Sequence, residues 1–171
     1  MNLIVLREER PGDEAAVREV HTVAFEGPVE ARIVDRLREA CTDLVSLVAV
    51  DDGRIVGHVL FSPATVERGP GGMGLAPLAV LPEYRRRGIG LALVERGLSA
   101  LRDRGCPFVV VLGHPGYYPR FGVDRASVHG LASQWEGIPD EAFMVLVLDA
   151  AAMAGAGGVA RYRPEFDEAM E

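Results

Sequence analysis

Residues 74–104 spell out the order strand, basic turn, helix, and this order limits what the chain can fold into. The apolar segment Gly74-Leu75-Ala76-Pro77-Leu78-Ala79-Val80 ends in the breaker Leu81-Pro82-Glu83-Tyr84, and Arg85-Arg86-Arg87-Gly88-Ile89-Gly90 follows. An amphipathic run from Leu91 to about Arg104 comes next and closes at Gly105 and Pro107. A helix start presents backbone N–H groups without intrahelical partners and a partial positive charge, so the turn into this helix is suited to an anion. Gly88 and Gly90 permit close main-chain approach and left-handed angles, and three arginines add fixed positive charge that matches phosphate. The simplest reading is a pyrophosphate cradle; the plain alternative is a surface helix that happens to begin after arginines.

Charge favours the first. The chain has 25 Asp and Glu against 18 basic residues, a net charge of −7, and all of its basic residues are Arg. Three in a row are a local exception in an acidic background. The same balance argues against a nucleic-acid surface, which would need a broad basic face. At 171 residues, 49% of them hydrophobic, the chain reads as one globular domain over 1–171, with a core of about 3–150 and a tail strand within 151–171. Cys41 and Cys106 show no metal-ligand spacing, so no metal is expected, and Cys106 reads as a buried thiol. Leu3 to Leu6 is too short for a signal core, and no apolar run reaches spanning length, so the expected location is cytoplasmic, away from membranes.

Along the chain, Asn2 to Arg7 reads as a first strand. Asp13 is placed to cap a helix that carries Ala16, Val20, Val23 and Ala24 on one face. A second helix from about Val29 to Ala40 buries Ile33, Val34 and Leu37. Val45 to Val50 and Arg54 to Ser62 are strands joined at Asp51-Asp52-Gly53, a strong hairpin signal. Pro63 to Gly72 reads as loop, Met73 to Val80 as strand, and Phe108 to Leu112 as a buried β-branched strand. Gly113 to Gly122 is irregular or briefly helical, Ala142 to Leu148 is a strand, and Val159 to Tyr162 is a short one. Gly69-Pro70-Gly71-Gly72-Met73-Gly74 matches GxGxxG literally, but a strand follows it where a dinucleotide site needs a helix; it reads as a hairpin loop. Pro77 either marks an edge strand or interrupts pairing and leaves neighbouring main-chain groups for an extended ligand.

These residues resemble a known family. Val80, Pro82, Arg85, Gly88 and Gly90 fit V-x-P-x-x-[Q/R]-x-x-G-x-[G/A], the coenzyme A motif of the GNAT superfamily of N-acetyltransferases. Tyr117-Tyr118-Pro119-Arg120-Phe121-Gly122-Val123 is similar to the family's (L/F)Y-x-x-x-G-(F/V) segment. With Gly57 to Ser62, Val111 to Pro115 and the tail Gly158 to Phe166, the chain resembles the YhbS-like branch over about residues 3–166. The resemblance implies an α/β GNAT fold: a central mixed, mostly antiparallel sheet of about seven strands, splayed between strands 4 and 5 and flanked by helices. It implies acetyl-CoA as co-substrate, pantetheine paired with main chain along Leu78, Ala79 and Val80, and pyrophosphate held over Arg85, Arg86, Arg87, Gly88, Ile89 and Gly90. Tyr118 takes the position of the general acid, since a phenol can donate its proton to the departing thiolate; Tyr117 is left as packing. The acceptor would be a small-molecule or peptide amine, and dimers are common in the family.

Two departures from the family stand out. Gly113-His114-Pro115-Gly116 replaces the Asn and helical turn that many members carry before the tyrosine, and Met73 to Val80 contains no Glu to serve as base. Glu26, Glu30, His58 and His114 are the remaining candidates for that role, each with an ordinary structural reading beside it. Trp135 could line an acceptor pocket or simply pack. Without an evident base, an acyl-CoA sensor that does not turn over is the alternative to an enzyme.

Overall fold

The computed structural model describes residues 3–171, so Asn2 of the expected first strand lies outside the described residues. Strands are β1 Ile4–Glu8, β2 Val45–Asp51, β3 Arg54–Arg68, β4 Gly72–Val80, β5 Phe108–Leu112, β6 Asp124–Arg125, β7 Leu131–Ser133, β8 Phe143–Val147 and β9 Gly157–Arg161. Helices are α1 Glu14–Ala24, α2 Val29–Ala40 and α3 Ile89–Asp103, with 3-10 turns between elements. Among the described residues the strands join in the order β1-β2-β3-β4-β5-β8-β6, with β9 paired to β3 and β7. β4 runs parallel to β5 and β7 to β9, whereas β1–β2, β2–β3, β3–β9, β5–β8 and β6–β8 are antiparallel. This is the mixed, mostly antiparallel sheet that was expected; the count exceeds seven because β6 and β7, of 2 and 3 residues, also pair.

β4 lies between β3 and β5, so Pro77 is not on an edge. The registered pairing of β4 with β5 covers only Met73↔Val109 to Leu75↔Val111. Pro77 thus lies past the last registered pair of β4 with β5.

The chain forms two compact units. One gathers residues up to Phe61 with Pro77–Ala100 and Glu165–Glu171. Its β2–β3 turn places Asp52 at φ 47° and Gly53 at φ 81°, the pair of left-handed residues that suits the twist of a tight hairpin. In α1 the buried face is Val17, Val20 and His21, whereas Val23 is 43% exposed, which corrects the expected face. Asp13 caps no helix N–H with its side chain; its carboxylate accepts from Arg10 N–H and the Arg7 guanidinium instead. α3 packs closely on β3 because Gly97 lacks a side chain: a Cβ there would lie 2.2 Å from the buried Phe61 ring.

The second unit comprises Ser62–Ala76 and Leu101–Pro164. Here β3 continues to Arg68 where a loop was expected. Ser62, Ala64 and Val66 are buried in alternation, and β9 pairs with Thr65 and Val66. Phe108, Val109, Val110 and Val111 fill the core against Met144, Val145 and Leu146 of β8. The Cys106 thiol is half-buried and donates to the Phe108 carbonyl.

Candidate active site

Two groups of residues carry chemistry, each within one unit. In the first, β4 ends with Ala79 buried and Leu78 and Val80 half-buried on the alternate face. The chain then turns: Leu81 N–H donates to the Val56 carbonyl at 2.9 Å, and Pro82–Tyr84 form a 3-10 turn. Arg86 follows at φ 64° and Gly88 at φ 77°, and α3 begins at Ile89. The first bond into the helix runs from Ala92 N–H to the Gly88 carbonyl at 3.0 Å, so the N–H groups of Ile89, Gly90 and Leu91 precede any intrahelical partner. Left-handed residues at such a start turn successive N–H groups into a concavity suited to an anion.

The three arginines differ. Arg85 reaches back, its Nε to the Val80 carbonyl and its Nη2 to the Ala24 carbonyl, both at 3.3 Å. Its charge thus sits at the C-terminus of α1, where the helix dipole favours a cation. Arg87 lies over the Tyr84 ring at 5.0 Å, and the Tyr84 hydroxyl donates to Asp51 Oδ2 at 2.6 Å. Arg86, Arg87 and Gly88 are exposed. Arg86 is a non-glycine residue in a conformation that costs about 1–2 kcal/mol. Arg86→Gly is therefore expected to raise stability slightly, by urea unfolding, while weakening CoA binding severalfold by calorimetry. Unchanged CoA affinity would show that the Arg86 guanidinium does not meet the ligand.

In the second unit, Tyr118 opens a 3-10 turn over Tyr118–Phe121 that ends at Gly122 with φ 88°. The Gly113-His114-Pro115-Gly116 departure has a physical purpose here. Tyr117 and Tyr118 N–H groups both reach the His114 carbonyl, at 3.0 and 3.3 Å. A Cβ on Gly113 would be 2.4 Å from Tyr118 Cε2, so the bare residue lets the ring lie against the end of β5. Tyr117 packs edge-on to Tyr118 and Phe121, with Arg120 over its own ring. Burial, and next the neighbouring Tyr117, push the Tyr118 phenol up to about 12. It is thus a proton donor throughout the neutral range, and among the described residues its hydroxyl has no hydrogen-bond partner.

The candidate bases separate clearly. His58 is fully buried in a chain of hydrogen bonds: its Nδ1 meets His21 Nε2 at 2.7 Å, and its Nε2 meets Ser46 Oγ at 2.8 Å. Ser46 donates to Glu9 Oε2 at 2.9 Å, and Glu9 is paired with Arg38. The carboxylate can only accept, which fixes the rest: His58 donates to Ser46, and His21 donates to His58. His21 Nδ1 is left as a buried acceptor without a partner among the described residues. His58 is thus a structural residue. His114 and Glu26 are exposed, Glu26 at φ 55°, and Glu30 is half-buried in the first turn of α2. His114 lends its carbonyl to the Tyr118 turn, and its Nδ1 accepts from Gly116 N–H at 3.4 Å.

One residue escaped the sequence. Tyr162, just after β9, is 5% exposed and joins its hydroxyl to main chain of both β4 and β5. The Trp135 ring lies tilted against that of Tyr162, with centroids 5.7 Å apart. The sequence placed Tyr162 in a short tail strand without a role; its partner is Gly74, whose missing side chain gives the ring its place, since a Cβ there would be 2.6 Å from Tyr162 Cε2.

Comparison with known proteins agrees with this architecture. Residues 15–116 match the acetyltransferase (GNAT) family, and this chain belongs to that family. It is 37% identical over 166 residues, 96% of its length and 99% of the relative's, to the protein named Uncharacterized N-acetyltransferase YhbS of Escherichia coli strain K12. The crystal structure of E. coli YhbS in complex with CoA matches with a TM-score of 0.90 at 37% identity, covering 98% of this chain and 93% of that one. A GNAT family acetyltransferase from Brucella melitensis in complex with acetyl-CoA matches with a TM-score of 0.78 at 35% identity, covering 98% and 100%. No helix of the described residues is long and apolar enough to cross a membrane.

Proposed function

We propose that this protein transfers the acetyl group of acetyl-CoA to an amine by direct attack, without a covalent enzyme intermediate. The observation that carries the reading is the pair of left-handed residues, Arg86 and Gly88, set immediately before the N-terminus of α3. Two relatives matching over 98% of this chain were crystallised with CoA and with acetyl-CoA, which supports the same ligand here. Leu78, Ala79 and Val80 offer main chain to pantetheine, while the amides of Arg86 to Gly90 hold the pyrophosphate and Arg85 braces that turn from behind.

The amine nitrogen attacks the thioester carbonyl; a C–N bond forms and the C–S bond breaks. Tyr118 donates its hydrogen bond, then its proton, to the departing sulfur, and the proton lost by the amine nitrogen restores the phenol. Products are the amide and the free thiol of CoA. With no carboxylate on β4 and His58 locked in the core, the amine arrives neutral or loses its proton to water. The same lack of a base favours a second reading, an acyl-CoA-binding module that does not turn over.

Calorimetry with acetyl-CoA, followed by an assay of CoA thiol release over a panel of small amines and peptides, tests both. Binding with thiol release is the expected result. Binding without release for any amine favours the sensor, and absence of binding defeats both.

A further inference from the structure

The hydroxyl of Tyr162 stands where the β4–β5 ladder stops. The last registered pair is Leu75↔Val111. In a parallel ladder that pair is made through Leu75 N–H with the Val110 carbonyl and Leu112 N–H with the Leu75 carbonyl. The phenol lies among these same groups: it accepts from Leu112 N–H at 3.2 Å and faces the carbonyls of Leu75 and Val110, each at 3.1 Å. Its own N–H donates to Gln134 Oε1 at 2.7 Å, and Trp135 covers the ring. A buried hydroxyl is costly unless bonded, and this one is bonded to main chain of both strands at their last pair. A phenylalanine would fill the same space without these bonds. Two residues further along β4, Pro77 has no N–H with which to resume the ladder.

Building on the acetyl-CoA reading above, we propose that Tyr162 is a positioning residue for the acyl-CoA. By bonding to both strands at their last pair it fixes the point beyond which the pantetheine arm, with amides of its own, pairs with β4 along Leu78 to Val80. The residue touches no reacting atom; it acts through the two strands.

The test compares the wild type with Tyr162→Phe and with Gly74→Ala, whose new methyl drives the ring from its place. Each is titrated by calorimetry with acetyl-CoA and with 3′-phospho-ADP, the CoA fragment that lacks pantetheine. Both variants are expected to bind acetyl-CoA about tenfold more weakly, the size of one or two strand-type hydrogen bonds, and to bind the nucleotide fragment as the wild type does. The two substitutions displace the phenol by different routes, so a folding failure in one leaves the other decisive. Equal weakening for both ligands would make Tyr162 a merely structural residue and overturn the proposal, as would unchanged acetyl-CoA binding in a folded variant. A wild type that binds neither ligand would instead sink the acetyl-CoA reading itself.

Discussion

Tyr118→Phe is expected to lower kcat about a hundred- to ten-thousand-fold, the range for loss of a positioned general acid, while KM for acetyl-CoA changes only a few-fold. The split follows from the geometry. The ring would keep its seat against Gly113 and Phe121, so packing and binding survive, and only the donor is lost. Because burial holds the phenol up to about 12, the wild type should show no fall in kcat from Tyr118 between neutral pH and about 10. Steady-state kinetics of thiol release would check both statements. A Phe variant within twofold of the wild-type kcat would remove Tyr118 from the mechanism.

Acid should unfold this protein well before carboxylates alone would account for it. Burial, and next the Arg38 charge, lower His21 from 6.5 to about 4. His58 is held well below its ordinary value by burial, by His21 and by Arg38. The folded state therefore keeps both rings neutral, whereas the unfolded chain takes up protons as pH drops below about 6.5. Where the unfolded state binds more protons, stability rises with pH. The stabilisation is complete above about pH 6.5 and is lost as pH falls toward about 4. His21 alone accounts for about 3 kcal/mol over that window, a large share of the 5–15 kcal/mol typical of a domain. Arg38 is itself paired with Glu9 and with Asp35, and Asp35 with Arg18. Urea unfolding at pH 7.5, 5.5 and 4.5 gives the slope. His21→Gln, which retains a donor toward His58, should flatten it; an equal slope in the two proteins would show that the buried pair does not drive it.

The sequence was most legible where one local pattern met no competition. The helix over Val29–Ala40 and the strand Phe108–Leu112 fall where apolar spacing places them, and Asp52-Gly53 turns as a hairpin must. The basic turn into α3 was readable because backbone conformation and helix polarity are local. Reading failed where a distant partner decides. Pro63 hid the continuation of β3, whose alternation of Ser62, Ala64 and Val66 gains meaning only from pairing with β9. The face of α1 was misjudged because His21, polar by type, is drawn inward by His58, leaving Val23 outside. The Arg85 side chain could not be aimed from sequence, since its acceptor is the last carbonyl of α1. Tyr162 was invisible in its own segment: its partners lie 50, 52 and 87 positions away.

That separation bears on how the molecule is made. A ribosome adds about 5–20 residues per second, so β4 and β5 emerge some seconds before the tyrosine that bonds to both. Until it arrives, the hollow that Gly74 leaves for its ring has no occupant, and this joint is completed only after both strands are made.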